Sequence, residues 1–259
     1  MKTNQNTPTL FVVTHKNYRM PKDALYVPIQ VGSGDTIHTA WLRDNTEDNI
    51  SDKNLTFCEL TALYWVWKNT DADVVGLCHY RRYLGSPKSG RGGRRKKLLS
   101  SADIEFLLNE ADVILPRKRH YYIETRESQY VHAHHAKDIE CVEAILTEKF
   151  PEYLAAWERM KKSRSGHICN MFVMPRKRLD DYCKWLFAIL FEAEKRLDIS
   201  TYNENDRRVF GYLAERLLDV WIDKNGLRTV EVPMLTLEDQ HWLKKGSAFL
   251  WRKFFAKKK

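Results

Sequence analysis

The stretch "GLCHYRRYL" (76–84) places His79, Tyr80, Arg81 and Arg82 at the end of an apolar run, "ADVVGLCHY" (72–80). Adjacent guanidinium groups give forked N–H donors that match phosphate or carboxylate oxygens, and His79 and Tyr80 add neutral donors. In an open α/β sheet, ligands gather outside the carboxyl ends of the strands, which is where this knot falls. The bland alternative is a charged turn with an arginine paired to a surface acid. No Asp-x-Asp pair follows a core strand to hold a divalent ion. "DAD" (71–73) precedes its strand and so sits at the opposite end of the sheet, and "LDD" (179–181) opens a helix.

Other polar groups extend the candidate set. Thr14, His15 and Lys16 close the first core strand, "TLFVVTHK" (9–16), and neighbour the same sheet edge by topology. "DNTEDNISDKN" (44–54) offers Asp48, Asn49, Ser51, Lys53 and Asn54 as hydroxyl acceptors with one cation, and it ends at a helix N-terminus whose N–H groups attract anions. Capping by Asp52 or Asn54 is its ordinary reading. "YVHAHHAKD" (130–138) clusters His132, His134 and His135 without the i, i+4 spacing or nearby cysteine of a zinc site, so hydroxyl bonding is expected rather than metal. "GHICNMFVMP" (166–175) puts His167 before a strand carrying Asn170, an amide in an apolar run that needs a ligand or backbone partner.

These groups need elements to position them. Apolar periodicity predicts strands at 9–16, 72–80, 112–116, 169–175 and 227–234, and helices at 55–69, 101–111, 138–149, 151–162, 177–197 and 207–226. Residues 17–54 read as a loop-rich segment, 117–138 as a mix of loop and short elements, and Gly226 as the stop of the last helix. Strands alternating with helices predict an α/β domain with a mixed sheet flanked by helices. Residues 1–240 read as one such domain, and 241–259 as a basic amphipathic tail.

The composition, 43% hydrophobic with 12% aromatic residues in 259, is globular. Five cysteines, an odd count with no Cys-x-x-Cys, read as reduced core residues of a cytosolic protein. The N-terminal apolar run is too short for a signal peptide, and no run is long enough to span a bilayer. The net charge of +9 gathers at 88–97 and in the tail "WLKKGSAFLWRKFFAKKK" (242–259), whose alternation suits an anionic membrane surface. A nucleic-acid-binding module would share such basic patches, but no zinc finger, RRM or helix-turn-helix signature accompanies them, so no nucleic-acid partner is expected.

Four blocks, "DNISDKNLTFCELTALYWVWKN", "VVGLCHYRRYL", "NMFVMPRKRLDDYCKWLF" and "GYLAERLLDVWI", together resemble a family of bacterial capsular and exopolysaccharide biosynthesis proteins. That family was long catalogued as a domain of unknown function, and some members are known as galactofuranosyltransferases. The resemblance runs from the first strand to "VEVPM". It implies a GT-A-like, Rossmann-type glycosyltransferase that takes a UDP-sugar donor, plausibly galactofuranose, to a polyprenyl-diphosphate-linked glycan acceptor. The setting implied is capsule, exopolysaccharide or lipopolysaccharide O-antigen synthesis, with the protein cytoplasmic and peripheral on the inner face of the cell membrane.

With that chemistry, the leaving diphosphate needs either a metal or fixed cations. Arg81 and Arg82 are expected to replace the metal, so no cofactor is expected to be essential. Thr14, His15, Lys16, His79 and Tyr80 complete the nucleotide and diphosphate site. Asp48, Asn49, Ser51, Lys53 and Asn54, with His132, His134, His167 and Asn170, are assigned to donor sugar or acceptor. An inverting transfer needs one carboxylate or histidine at the acceptor hydroxyl. "YNENDRR" (202–208) supplies Asp206 as first choice and Glu204 as second, while Glu215 and Arg216 read as a buried ion pair. A non-catalytic scaffold of a polysaccharide assembly is the remaining alternative.

Overall fold

The computed structural model describes residues 8–87 and 97–236. The tail expected at 241–259 and nearly all of the basic cluster at 88–97 lie outside the described residues.

Strand β1 (Thr9–Thr14) is buried along its whole length. Phe11 and Val13 feed one apolar cluster and Leu10 and Val12 another, so the sheet is covered on both faces. On one side β1 pairs in parallel with β2 (Tyr26–Gln30), which carries β3 (Leu42–Arg43); on the other it pairs in parallel with β4 (Val74–His79). The short β5 (Arg82–Leu84) turns back on the end of β4 through the pair His79 and Arg82. Further out, β6 (Val113–Pro116) ends near a two-stranded pair of β7 (Arg119–His120) and β8 (Ser165–Gly166). Strand β9 (Phe172–Pro175) lies antiparallel between β4 and β6; β10 (Thr229–Val232) extends the edge parallel to β6, and β11 (Met234–Thr236) pairs with β5.

Helices α1 (Asn54–Phe57), α2 (Leu60–Asn69), α4 (Arg126–Ala133), α5 (Ala136–Lys149), α6 (Leu154–Lys162), α7 (Arg176–Arg196) and α8 (Val209–Lys224) supply the larger core. Helix α3 (Ser101–Glu110), held by a Ser100/Asp103 capping box, packs with the smaller one. Gly226 adopts φ +60°, and Leu227 N donates to Ile222 O at 3.1 Å, which closes α8 at the expected stop.

Several boundaries differ from expectation. Residues 17–54 contain β2 and β3, concealed by Pro28 within β2 and by the brevity of β3. The helix expected at 55–69 breaks at Cys58, which has φ +53°. Neither Asp52 nor Asn54 caps it. Lys53 is the N-cap of α1 without a side-chain bond, and Asn54 Nδ2 instead donates to the carbonyl of Cys58 at 2.8 Å. The last strand divides into β10 and β11 around Pro233, whereas residues 117–138 mix loop with the short β7 and α4, as expected. The strand expected from residue 169 starts at Phe172, because Cys169 and Asn170 are left-handed (φ +72° and +48°).

Candidate active site

Strands β1 and β4 end side by side, with Val13 opposite His79 and Tyr80 N donating to Val13 O at 3.0 Å. A cleft of about 530 Å³ opens there. Arg81 enters it from the turn after β4, Arg82 from the start of β5, His15 from the turn after β1, and Arg208 from the foot of α8. The acids lining it, among the described residues, are Glu59 and Glu204. Thus the knot at 79–82 is brought together with His15, Asn54 and Glu204.

The local backbone explains how Glu59 arrives. The left-handed turn at Cys58 ends α1 and makes Glu59 the N-cap of α2, aimed at the sheet edge instead of continuing along one helix. A second left-handed turn, at Cys169 and Asn170, holds it. Asn170 Nδ2 donates to Glu59 Oε1 at 2.7 Å and to Gly211 O at 3.1 Å. His79 Nε2 lies 2.6 Å from Cys169 O; since a carbonyl only accepts, Nε2 carries the proton. Cys169 N donates to Glu215 Oε1 at 2.6 Å, and burial pushes the Glu215 carboxyl above its ordinary range. Left-handed non-glycine residues cost of order 1 kcal/mol each, and these lie beside the cleft.

The cleft is electropositive. Burial first, and then the charges of Lys16, Arg81 and Arg208, hold the His15 imidazole below its usual value. Arg82 and Arg208 make no ion pair among the described residues. Tyr80 is buried, with its ring edge-on to His15 at 5.3 Å and the Arg81 guanidinium carbon 4.9 Å from its ring centre. Its hydroxyl is buried without a hydrogen-bond partner among the described residues. Burial, then Glu59, pushes the Cys58 thiol up to about 11, and Arg208 Nε donates to its sulfur at 3.2 Å.

The other expected residues distribute differently. Thr14 closes its own turn, donating to Lys16 O at 2.7 Å and accepting from Lys16 N at 3.1 Å. Within 48–54 only Asn54 lines the cleft. Asp48 accepts from Tyr64 at 3.1 Å on α2; Asn49 accepts from Ser51 N at 3.1 Å; Ser51 donates to the buried Asp44 at 2.6 Å; Lys53 pairs with Glu194 at 2.8 Å. His132 is exposed and 2.5 Å from Glu124. Asp206, expected as the base, lies outside the lining. Its oxygens are engaged by His134 at 2.9 Å, His135 at 3.4 Å and Asn203, and the His134 bond leads the causes that lower its carboxyl below its ordinary value. Sequence reasoning passed over Glu59, Cys58 and Arg208. Arg208 stood visible in "NDRR", but nothing in the helical pattern around Glu59 announced a break.

His167 belongs to a different cavity, of about 370 Å³, near the β10 edge. Its Nδ1 and backbone N both meet Asp219, which also pairs with the buried Arg126; Arg126 in turn donates to Glu215 O at 3.1 Å. Burial pushes the Asp219 carboxyl up, but the His167 bonds and the Arg126 charge outweigh it and hold it below its ordinary value. Gly166 makes room for this group: a Cβ there would lie 2.3 Å from the Arg126 guanidinium carbon. The expected Glu215–Arg216 pair is present at 3.9 Å. Among the described residues, no three His, Cys, Asp or Glu side chains converge so as to hold a metal ion.

A largely parallel sheet covered on both faces, with an open cationic cleft at its carboxyl edge, is a GT-A-like glycosyltransferase fold. The chain belongs to the family described as a domain of unknown function, DUF4422, which matches residues 9–226. It is similar to the apo structure of the bifunctional glycosyltransferase WbbM, at 30% identity and TM-score 0.83 over 90% of this chain and 46% of that one. A shorter similarity, 33% over 81 residues, is to Protein png-1 of Neurospora crassa and covers 29% of this chain and 19% of that protein. This chain therefore spans less than half the length of either.

Proposed function

We propose that the cleft transfers a sugar from a UDP-sugar, with UDP-galactofuranose as the first candidate, to a hydroxyl of a polyprenyl-diphosphate-linked glycan. The supporting observation is the convergence of Arg81, Arg82 and Arg208 with His15 and His79 at the ends of β1 and β4, facing two carboxylates. In an inverting transfer the carboxylate takes the acceptor proton and the acceptor oxygen bonds to the anomeric carbon. The bond from that carbon to the β-phosphate oxygen breaks, and UDP leaves carrying the electron pair. The three guanidinium groups hold the charge that develops on the diphosphate, in the place of a metal ion. Glu59, oriented by Asn170, and Glu204 are the two carboxylates able to act as base. The setting is surface polysaccharide synthesis, as capsule, exopolysaccharide or O-antigen, on the cytoplasmic face of the membrane.

The test is transfer from a panel of UDP-sugars to a lipid-linked acceptor, with and without EDTA, for the wild type and the Glu59→Gln and Glu204→Gln variants. The reading expects product that survives EDTA, and one of the two variants slowed about 10²- to 10⁴-fold in kcat. Product only with divalent metal overturns the cationic substitution. UDP binding without transfer of any sugar overturns the enzyme and leaves a scaffold.

A further inference from the structure

We infer that residues 117–125 form a finger that docks on an anionic bilayer, seating Tyr122 and Ile123 among the lipid headgroups. These two neighbours are 82% and 88% exposed, and they are consecutive in the chain. Single exposed apolar residues are ordinary; here an aromatic and an aliphatic side chain stand exposed side by side at one turn. The turn is built, not slack. Tyr122 is left-handed at φ +58°, an outlier for a bulky residue, and Ile123 N donates to Tyr121 O at 2.7 Å. Both legs are tied to the neighbouring strand region: Tyr121 N donates to Arg164 O at 2.9 Å and Arg126 N to Ser163 O at 2.8 Å.

Charge selects the partner. Arg117, Lys118, Arg119 and Arg164 are exposed around the finger, against the acids Glu124 and Glu231. Glu231 lies 3.8 Å from Lys118, and Glu124 faces His132. The net positive frame around an apolar tip matches anionic headgroups over an acyl boundary, where each cation near the surface contributes about 1 kcal/mol.

Position gives the docking its meaning. The finger follows β6, on the same sheet edge as the cleft. Gly166 of β8, which pairs with Arg119, is three residues from Cys169, a span of at most about 11 Å. The Cys169 carbonyl meets His79 of the cleft. Leu55, 82% exposed, stands on the cleft lining, and in the docking inferred here it turns with the finger tip toward one membrane. The inference deepens the proposed lipid-linked acceptor and rests on that reading only for its purpose.

The test floats the full chain with phosphatidylcholine vesicles, with and without phosphatidylglycerol. Tyr122→Ser/Ile123→Ser is expected to lower partitioning onto anionic vesicles about tenfold. Arg117→Gln/Arg119→Gln is expected to lower it by roughly tenfold or more on anionic vesicles only. Because the basic tail also binds lipid in principle, an Ile123→Cys variant carrying an environment-sensitive fluorophore reads the finger directly. A blue shift on anionic vesicles is expected. An unshifted emission, or finger variants that partition like the wild type, overturns the inference, as does equal binding to neutral vesicles. Transfer to a detergent-soluble acceptor is expected to stay intact in these variants. Its absence in the wild type as well would count against the transferase reading and leave the vesicle result standing.

Discussion

Arg208 at the amino end of α8 and Asp219 toward its carboxyl end belong to two ionic groups built on one helix. Around Asp219, each charge has its counterpart inside the protein: Arg126 and His167 surround the carboxylate, and Gly166 is kept small to admit the guanidinium. Around Arg208, the cations outnumber the acids, Arg82 and Arg208 make no ion pair among the described residues, and burial followed by the neighbouring cations lowers the His15 pKa. A compensated cluster fastens the fold. An uncompensated one stores positive potential for an anion that comes from outside.

The strongest way to break this contrast is Arg126→Ala. It leaves Asp219 with only His167 in a site where Arg126 is 4% exposed, and removing one partner of a buried pair costs about 3–5 kcal/mol. Urea unfolding should show that loss, while UDP affinity measured on the folded fraction stays near wild type. A loss under about 1 kcal/mol would make the two groups alike. The mirror-image substitutions, Arg82→Ala and Arg208→Ala, should leave the unfolding midpoint nearly unchanged. Each should weaken UDP binding about 10- to 100-fold by calorimetry, the worth of one charge-assisted hydrogen bond of roughly 1.5–3 kcal/mol. Destabilisation without weaker binding would assign these arginines to the fold instead.

The contrast also explains what could be read from the sequence. The strands that aim the cleft, β1 and β4, are apolar runs ending in polar knots, and their carboxyl ends carry His15 and His79 to Arg82 as expected. The family blocks pointed to the GT-A-like fold that the comparisons bear out. What stayed hidden depends on backbone, not on pattern. Cys58 and Asn170 take left-handed conformations inside stretches whose apolar spacing continues a helix or a strand, and those two turns create the Glu59–Asn170 contact. The pairing of Asp206 with His134 spans 72 residues of chain, beyond any local signal.

A smaller effect sharpens the site's interior. Tyr80→Phe removes a buried hydroxyl that has no hydrogen-bond partner among the described residues, so stability should hold or rise slightly. UDP affinity should fall about three- to tenfold if that hydroxyl serves the ligand, the range for one neutral hydrogen bond. Unchanged affinity with higher stability would return Tyr80 to a purely structural role beneath Arg81.

The subtlest effect lies in proton linkage at His15. Burial and the charges of Lys16, Arg81 and Arg208 favour the neutral ring, so in the folded protein it titrates below 6.5. Between that depressed value and 6.5 the unfolded chain binds more protons, so the local contribution to stability rises with pH across that window and is complete above it. An anion in the cleft reverses the bias. The diphosphate offsets the cations, raises the His15 pKa and draws a proton onto it, so UDP affinity should increase as pH falls from 7.5 toward 6. Arg208→Ala should raise the His15 pKa without ligand and reduce the further rise on adding UDP, because part of the repulsion is already gone. Two-dimensional NMR titration of the His15 Cε1–H, with and without UDP, reads each shift. A His15 pKa that ignores both UDP and Arg208 would mean that the cations of the cleft do not act on one common anion.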